Sequence, residues 1–226
     1  MSIETVVTDD GCQLWSEVRG HGNAIVLNHV GPGLADNLGA LQERLAPSHR
    51  VVRWDQRGCG RSEPRGPYSI ERSVADLSAI VARQGGRAVL VGHSWGVTLS
   101  LHYTLARPES VRALVYVSGT GTGQGWKPEW RRTAASRMGP EQLARVTGLA
   151  SRGRSAAEDR ELACSINHDC KVAINAETSL IRETDLLDRC RSLSLPVLVV
   201  QGPRRPATRG CDAFDAMLRE FLDDEK

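Results

Sequence analysis

Short apolar runs separated by charged or turn-forming residues dominate the first half of the chain. Two alternating runs, at residues 4–8 and 13–18, flank the turn sequence Asp9-Asp10-Gly11 and predict a β-hairpin. Further runs are apolar at successive positions, which is typical of parallel strands that are buried on both faces. These runs lie at residues 24–27, 51–54, 88–91, 113–117 and 196–202.

Helical patterns at residues 34–46, 69–84 and 95–107 alternate with these runs, and Ser69 is a candidate N-cap. The alternation predicts an α/β protein with a doubly wound, mostly parallel sheet. Residues 119–192 contain polar helical patterns without a strand-like run, which predicts a helical lid inserted between two strands of the sheet. We therefore expect an N-terminal core at 1–118, a lid at 119–192 and a C-terminal part of the core at 193–226.

Composition and charge narrow the class of protein. Of 226 residues, 40% are apolar and 25% charged, which is typical of a globular protein. A net charge of +2 gives no electrostatic basis for binding nucleic acid or a membrane surface. The N-terminal sequence lacks a basic region followed by an apolar stretch, and no segment approaches 18 apolar residues. We therefore expect a cytoplasmic protein.

The six cysteines have unrelated spacings and form no CxxC pair. In a chain long enough to build a core without covalent links, this pattern predicts reduced thiols. Cys164, His168 and Cys170 supply only three ligands in a polar helical pattern, so ordinary cysteines are the favoured interpretation. We expect neither a metal ion nor another cofactor.

The strongest chemical signal is Gly92-His93-Ser94-Trp95-Gly96, which follows an apolar run and precedes a helical pattern. In a G-x-S-x-G turn of this kind, the serine lies on a sharp strand-to-helix bend that exposes its hydroxyl at the C-terminal edge of the sheet. The motif therefore predicts Ser94 as a nucleophile.

A second segment, Asn28-His29-Val30-Gly31-Pro32-Gly33, follows the third predicted strand and emerges at the same edge. Acyl transfer needs two N–H donors aimed at the developing oxyanion. The amide after the nucleophile, that of Trp95, is one candidate. Gly31 is the other, because Pro32 has no N–H to donate. An ordinary Gly/Pro turn is the alternative interpretation of this segment.

Three motifs in this order resemble those of the α/β-hydrolase superfamily, especially its prolyl iminopeptidase branch. They are His29-Val30-Gly31-Pro32-Gly33, Trp54-Asp55-Gln56-Arg57-Gly58-Cys59-Gly60-Arg61-Ser62 and Gly92-His93-Ser94-Trp95-Gly96. The resemblance implies an α/β-hydrolase fold with a serine nucleophile, and a turn at 55–62 that shapes the rim of the site without a catalytic role. It also implies that lid carboxylates hold the substrate's amino group; the candidates are Glu129, Glu141, Glu158, Glu161 and Glu177.

This sequence departs from the family's pattern at the acid and at the base of the catalytic triad. The acid is expected near position 205, where the sequence has arginine, while Asp212 and Asp215 lie further on in a helical pattern. The family's histidine follows one more strand, but only 24 residues (226 − 202) follow Gly202 and none is histidine. We therefore expect the fold to lack its last strand and helix.

Among the six histidines, only His168 in the predicted lid is a candidate base above Ser94, although a solvated lid residue is the favoured interpretation. His21 and His49 precede strands and should lie at the opposite end of the sheet. His93 is expected beside Ser94 with its side chain on the other face, and His102 is expected within helix packing. His29 is expected in the loop after the third strand, where it stabilises that turn.

Two hypotheses of different classes follow. The first is a serine hydrolase that cleaves a small amide or ester, including short peptides, through an acyl-Ser94 intermediate. The second is a catalytically impaired or silent relative that binds a small ligand or self-associates. An apolar strand at 197–200 left at the edge of the sheet would favour a homodimer.

Overall fold

The computed structural model describes residues 1–119, 166–181, 183–200 and 210–224. Most of the predicted lid, residues 120–165 together with 182, lies outside the described residues. The strands are Ser2–Val7 (β1), Gln13–Arg19 (β2), Ala24–Asn28 (β3), Arg50–Trp54 (β4), Ala88–His93 (β5), Val111–Val117 (β6) and Val197–Val200 (β7). The helices are Gly39–Leu45 (α1), Ile70–Arg83 (α2), Trp95–Ala106 (α3), His168–Leu180 (α4), Glu183–Cys190 (α5) and Gly210–Asp224 (α6), with a 3₁₀ turn at Pro108–Ser110.

The seven strands form one sheet in the order β1-β2-β4-β3-β5-β6-β7. The predicted hairpin is confirmed, since β1 pairs antiparallel with β2, which in turn pairs antiparallel with β4. All remaining pairs are parallel. Every residue of β3 is buried, as a strand covered on both faces requires.

Helices cover both faces of the sheet, which confirms the predicted doubly wound arrangement. On one face, α2 and α3 pack through Leu77, Ile80 and Leu99 against a cluster that includes Leu14 and Leu90. The opposite face is covered by α1 and α6. Its cluster comprises Ile25, Leu27, Leu38, Leu41, Leu45, Val51, Val89, Val91, Ala113, Val115, Leu218 and Leu222.

The first helix is shorter than predicted, because α1 begins at Gly39 rather than near residue 34. Tertiary hydrogen bonds hold the preceding residues in a loop. The Asp36 amide donates to Asp55 Oδ1 at 2.9 Å, while Asp36 Oδ1 accepts from the Leu38 amide at 3.0 Å. Asp36 Oδ2 also pairs with Arg53 at 2.8 Å. These contacts outweigh the helical pattern of residues 34–38.

The second helix agrees closely with its sequence signals. Ser69 is the N-cap of α2, and its hydroxyl accepts a hydrogen bond from the Arg72 amide at 3.0 Å. Among the described residues, no helix combines the length and the apolar composition that a membrane span requires.

Candidate active site

The C-terminal ends of three neighbouring strands bring the sequence motifs together. Because the sheet order places β3 between β4 and β5, the segments that follow these strands lie side by side at one edge. They are the β4 turn (residues 55–62), the β3 loop (residues 29–33) and the elbow (residues 92–96). Open α/β sheets bind their ligands at this edge.

Ser94 occupies a backbone conformation that L-residues rarely adopt, with φ 54° and ψ −114°. It lies between the last residue of β5 and the first residue of α3. Its amide donates to Val117 O at 3.1 Å, and its carbonyl accepts from the Val97 amide at 3.0 Å. The bend predicted for the nucleophile is therefore present, held by β6 on one side and α3 on the other.

Both glycines of the motif are required by close packing. A Cβ atom at Gly96 would lie 1.9 Å from the carbonyl oxygen of Asn28, and one at Gly92 would lie 2.5 Å from the carbonyl oxygen of Gly96. The start of α3 therefore rests directly on the end of β3. This contact fixes where the elbow lies relative to the β3 loop.

A buried polar network supports this contact from below. Asn28 Nδ2 donates to Ser100 Oγ at 2.7 Å, and Asn28 Oδ1 accepts from the Trp54 indole at 2.9 Å. Ser100 Oγ in turn donates to Gly96 O at 2.7 Å. The network ties β3, β4 and α3 together at the level of the elbow.

The β3 loop lies against the residue that follows the candidate nucleophile. A Cβ atom at Gly31 would lie 3.3 Å from Trp95 Cδ1, so the loop backbone packs on the edge of the buried indole. The structure thus brings the backbone of Gly31 against the side chain of Trp95, the residue that supplies the other sequence-predicted oxyanion donor.

His29 is fully buried, and both of its ring nitrogens are hydrogen-bonded. The Gln56 amide donates to His29 Nε2 at 3.0 Å, so Nε2 must be an acceptor in the neutral ring. Nδ1 then carries the proton, and it lies 2.6 Å from Val30 O. His29 therefore fixes the β3 loop, in agreement with the role expected from the sequence.

The β4 turn is organised around the carboxylate of Asp55. Asp55 accepts from the amides of Asp36 and Arg61, each at 2.9 Å, and from Arg61 Nε at 2.6 Å. Burial opposes the ionisation of Asp55, but these hydrogen bonds outweigh it and hold the pKa below its usual value. A Cβ atom at Gly60 would lie 2.6 Å from the carboxylate, so the turn closes tightly around it.

Gln56 in the β4 turn contacts both neighbouring segments, which sequence reasoning missed. Its side chain donates to His29 O at 3.2 Å and accepts from Trp95 Nε1 at 2.8 Å. The available signal was the place of Gln56 directly after a strand, at the sheet edge where the other motifs emerge. Its reach depends on the strand order, which the sequence does not specify.

The start of α4 is attached to the same edge of the sheet. Asn167 is its N-cap and accepts from the Cys170 amide at 2.9 Å, while its own amide donates to Gly33 O at 3.0 Å. Asn167 Nδ2 also donates to Gly58 O at 3.1 Å and lies 3.0 Å from the Tyr68 hydroxyl. The described end of the predicted lid therefore contacts both the β3 loop and the β4 turn.

The thiols of Cys59 and Cys170 are both buried at this contact, and Cys59 Sγ donates to Arg57 O at 3.6 Å. The neighbouring Cys170 thiol, with burial, holds the pKa of Cys59 well above its ordinary value. Cys12, Cys59, Cys170 and Cys190 are free cysteines. Within the described ranges, no group of three or more His, Cys, Asp or Glu side chains is arranged to hold a metal ion. Cys164 lies outside the described residues.

All six histidines of the chain fall within the described residues, and none is hydrogen-bonded to Ser94 Oγ there. His21 and His49 both line a cavity at the opposite end of the sheet, as predicted, and His49 Nδ1 lies 3.0 Å from Ser48 Oγ. His93 and His102 are half-buried, and burial is the main cause of their lowered pKa values. His168 is the first residue of α4, and its side chain is exposed.

Other candidate residues are only partly accounted for. Glu177 on α4 accepts from the Ile70 amide at 2.7 Å and so stabilises the start of α2. The remaining candidate carboxylates, namely Glu129, Glu141, Glu158 and Glu161, lie outside the described residues, as does the segment around position 205. The side chains of Asp212 and Asp215 are not among those described.

The fold, the elbow and the adjoining loops define a family. Residues 23–146 match the family model described as the alpha/beta hydrolase fold. The chain therefore belongs to the alpha/beta hydrolase family.

Among individual relatives, a proline iminopeptidase of Xylella fastidiosa is 34% identical over 140 residues, which cover 59% of this chain and 44% of that protein. The match thus spans less than half the length of this relative. The lipase LipV of Mycobacterium tuberculosis is 40% identical over 81 residues, which cover 34% of this chain and 31% of that protein. A hydrolase structure from Pseudomonas aeruginosa PA01 superposes with a TM-score of 0.72 at 21% identity over 98% of both chains, which shows the shared fold.

Proposed function

We propose that this protein is a serine hydrolase that cleaves a small amide or ester, including short peptides, through an acyl-Ser94 intermediate. The observation that carries the proposal is the φ of 54° at Ser94, between a buried strand and the start of α3. A non-glycine residue in this region of backbone space is uncommon and clusters at functional sites. The similarity to proline iminopeptidases supports an acyl-transfer reaction on a small substrate.

In the proposed reaction, Ser94 Oγ attacks the carbonyl carbon of the substrate while a base accepts the hydroxyl proton. The carbonyl oxygen becomes an oxyanion, which the amides of Gly31 and Trp95 stabilise. The intermediate collapses, and the leaving amine or alcohol takes up the proton. Water then adds to the acyl-Ser94 ester and releases the carboxylic acid and the free serine.

His168 is the proposed base. Its neighbour Asn167 donates its amide to Gly33 O in the β3 loop, so α4 begins beside the proposed oxyanion donors. The imidazole of His168 is exposed at the first residue of this helix. A base supplied by another chain is the alternative source.

Labelling with a fluorophosphonate probe tests the role of Ser94. We expect stoichiometric labelling of the purified protein and none of Ser94→Ala. The same pair should differ in hydrolysis of p-nitrophenyl acetate; equal rates would show that Ser94 is not a nucleophile. His168→Ala should abolish turnover, whereas an unchanged rate would exclude His168 as the base.

A second candidate function is a catalytically silent member of the family that binds a small ligand in the same site. It is favoured by the histidine geometry, since in the described part of the chain no imidazole is hydrogen-bonded to Ser94 Oγ. A folded protein that is not labelled, but whose unfolding temperature rises with L-prolinamide, would support this function.

A further inference from the structure

Gln56 is well placed to control the geometry of the elbow. It lies two residues beyond the end of β4, and 6% of it is exposed. Since β3 separates β4 from β5, a side chain from the β4 turn reaches the elbow only by passing the β3 loop.

Besides a turn hydrogen bond, in which the Cys59 amide donates to Gln56 O at 2.9 Å, the hydrogen bonds of Gln56 go to the two neighbouring segments. Its backbone amide donates to His29 Nε2 at 3.0 Å, and its side-chain Nε2 donates to His29 O at 3.2 Å. Its Oε1 accepts from Trp95 Nε1 at 2.8 Å. The side chain is therefore a direct link between the loop that carries Gly31 and the residue after Ser94.

The Trp95 indole contacts both the β3 loop and Gln56. Gly31 packs against the edge of the Trp95 ring, where an added Cβ would lie 3.3 Å from Cδ1, while Gln56 holds the Nε1 atom next to it. Rotation of the indole would thus displace the β3 loop. The spacing of the Gly31 and Trp95 amides depends on the position of this ring.

We infer that Gln56 is a positioning residue that sets the spacing between the oxyanion donors, the amides of Gly31 and Trp95. This inference rests on the proposed function. Removing its side-chain polar atoms would leave the Trp95 indole N–H and the His29 carbonyl unpaired in a buried setting, and both segments would relax. A misplacement of about 1 Å can cost about 10²-fold in rate. We therefore expect acylation to slow by about 10- to 100-fold.

The test compares Gln56→Leu and Gln56→Met with Gln42→Leu. Gln42 is the control, because it is also buried and its side-chain oxygen and nitrogen are also hydrogen-bonded, in three bonds to Glu17, Val51 and Arg53 where the Gln56 side chain makes two. The rate of Ser94 labelling by the fluorophosphonate is measured against probe concentration. The maximum rate should fall in both Gln56 variants with the half-saturating concentration unchanged, whereas Gln42→Leu should keep the wild-type rate in its folded fraction.

Hydrogen exchange of the indole N–H groups, followed by NMR, gives a readout independent of turnover. The Trp95 indole should exchange faster in the Gln56 variants, while that of Trp54, which donates to Asn28 Oδ1 at 2.9 Å, serves as an internal reference. If Ser94 is labelled and the Gln56 variants react as fast as wild type, Gln56 has no positioning role and the proposed function stands.

If folded wild-type protein is not labelled, the proposed function fails. Equal Trp95 exchange in wild type and variants would then also disprove the link through Gln56.

Discussion

At the scale of single residues, the absence of a side chain at Gly96 determines how closely the elbow packs against β3. Its Cα faces the carbonyl oxygen of Asn28, where an added Cβ would lie 1.9 Å away. That oxygen belongs to the backbone of a buried strand, so it cannot move aside as a flexible side chain would. The strand and the helix meet at van der Waals contact only because this position has no Cβ.

We therefore expect Gly96→Ala to lower the free energy of unfolding by about 3 kcal/mol or more, at the upper end of the usual cost of overpacking. Gly39→Ala is the control, because its Cβ would lie at 3.4 Å from the nearest atom, on Arg53, and Gly39 is the first residue of α1. Urea unfolding of both variants measures the difference. Equal stabilities would show that α3 can shift away from β3 without cost.

The lowered pKa of half-buried His102 makes the free energy of unfolding depend on pH. Burial and the nearby Arg189 lower the pKa of His102 from 6.5, so protonation is easier in the unfolded chain. Stability from this histidine is complete above pH 6.5 and is lost as the pH falls below that value, because the unfolded state binds the proton first.

Replacing His102 with glutamine should thus reduce the pH dependence of the free energy of unfolding between about pH 6.5 and pH 5. His21→Gln is the control, since His21 is exposed. Urea unfolding at a series of pH values checks the slope. The carboxylates whose pKa values are lowered, namely Asp9, Asp10, Glu17 and Asp55, titrate below this window. A slope that both variants leave unchanged would contradict the assignment to His102.

At the scale of secondary-structure elements, α4 is held by its first turn. Asn167 caps the helix and binds Gly58 in the β4 turn as well as Gly33 in the β3 loop. A Cβ at Gly33 would lie 2.5 Å from Asn167 O, so this approach also requires a glycine. The capped first turn therefore adds to the contacts of the helix itself, which buries Cys170 and Ile174 in the core.

Asn167→Ala should detach the start of α4 and expose the buried thiol of Cys170. The loss of an N-cap costs about 1 kcal/mol, which corresponds to roughly a fivefold to tenfold increase in opening. Reaction of Cys170 with a disulfide reagent, located by mass spectrometry, should accelerate by about that factor. Asn175→Ala, on the same helix, should leave the rate unchanged. An equal acceleration in both variants would mean that α4 is not held by its cap.

The elements also show how far sequence reasoning reaches and where it stops. The buried strands were predictable because residues 24–27 and 88–91 are apolar at every position, and a strand covered on both faces needs that pattern. The start of α1 was not predictable, because hydrogen bonds from Asp36 to Asp55 and Arg53 hold this segment in a non-helical conformation. The position of Gln56 after a strand indicated the edge of the sheet at which it lies, but its partners in the neighbouring loops depend on the strand order, which no local pattern specifies.

At the scale of the whole molecule, the two edges of the sheet differ in the contacts that their outermost strands make. In the described part of the chain, β1 and β7 are the outermost strands. The β1 edge belongs to a hairpin that is tied to α2 through Arg72, which pairs with Asp9 and Asp76. β7 is a short strand that pairs with β6, and its Val197 and Val199 side chains are 46% and 61% exposed.

We expect the β7 edge to pair with that of a second copy, since an open strand with apolar side chains is a template for further pairing. Two identical edges related by a two-fold axis form a closed dimer. Light scattering after size-exclusion chromatography should give twice the mass of the 226-residue chain. Val199→Lys should shift the protein to a monomer, because a lysine on an edge strand disfavours pairing.

The control for this prediction is Val7→Lys, which places the same charge on the opposite edge of the sheet. Val7 is 62% exposed on β1, close to the exposure of Val199, so any general effect of an added surface lysine appears equally in both variants. Dissociation by both variants would point to a charge effect rather than an interface at β7. A monomer at every concentration of the wild-type protein would show that the β7 edge does not pair, and the site would then have to be complete within one chain.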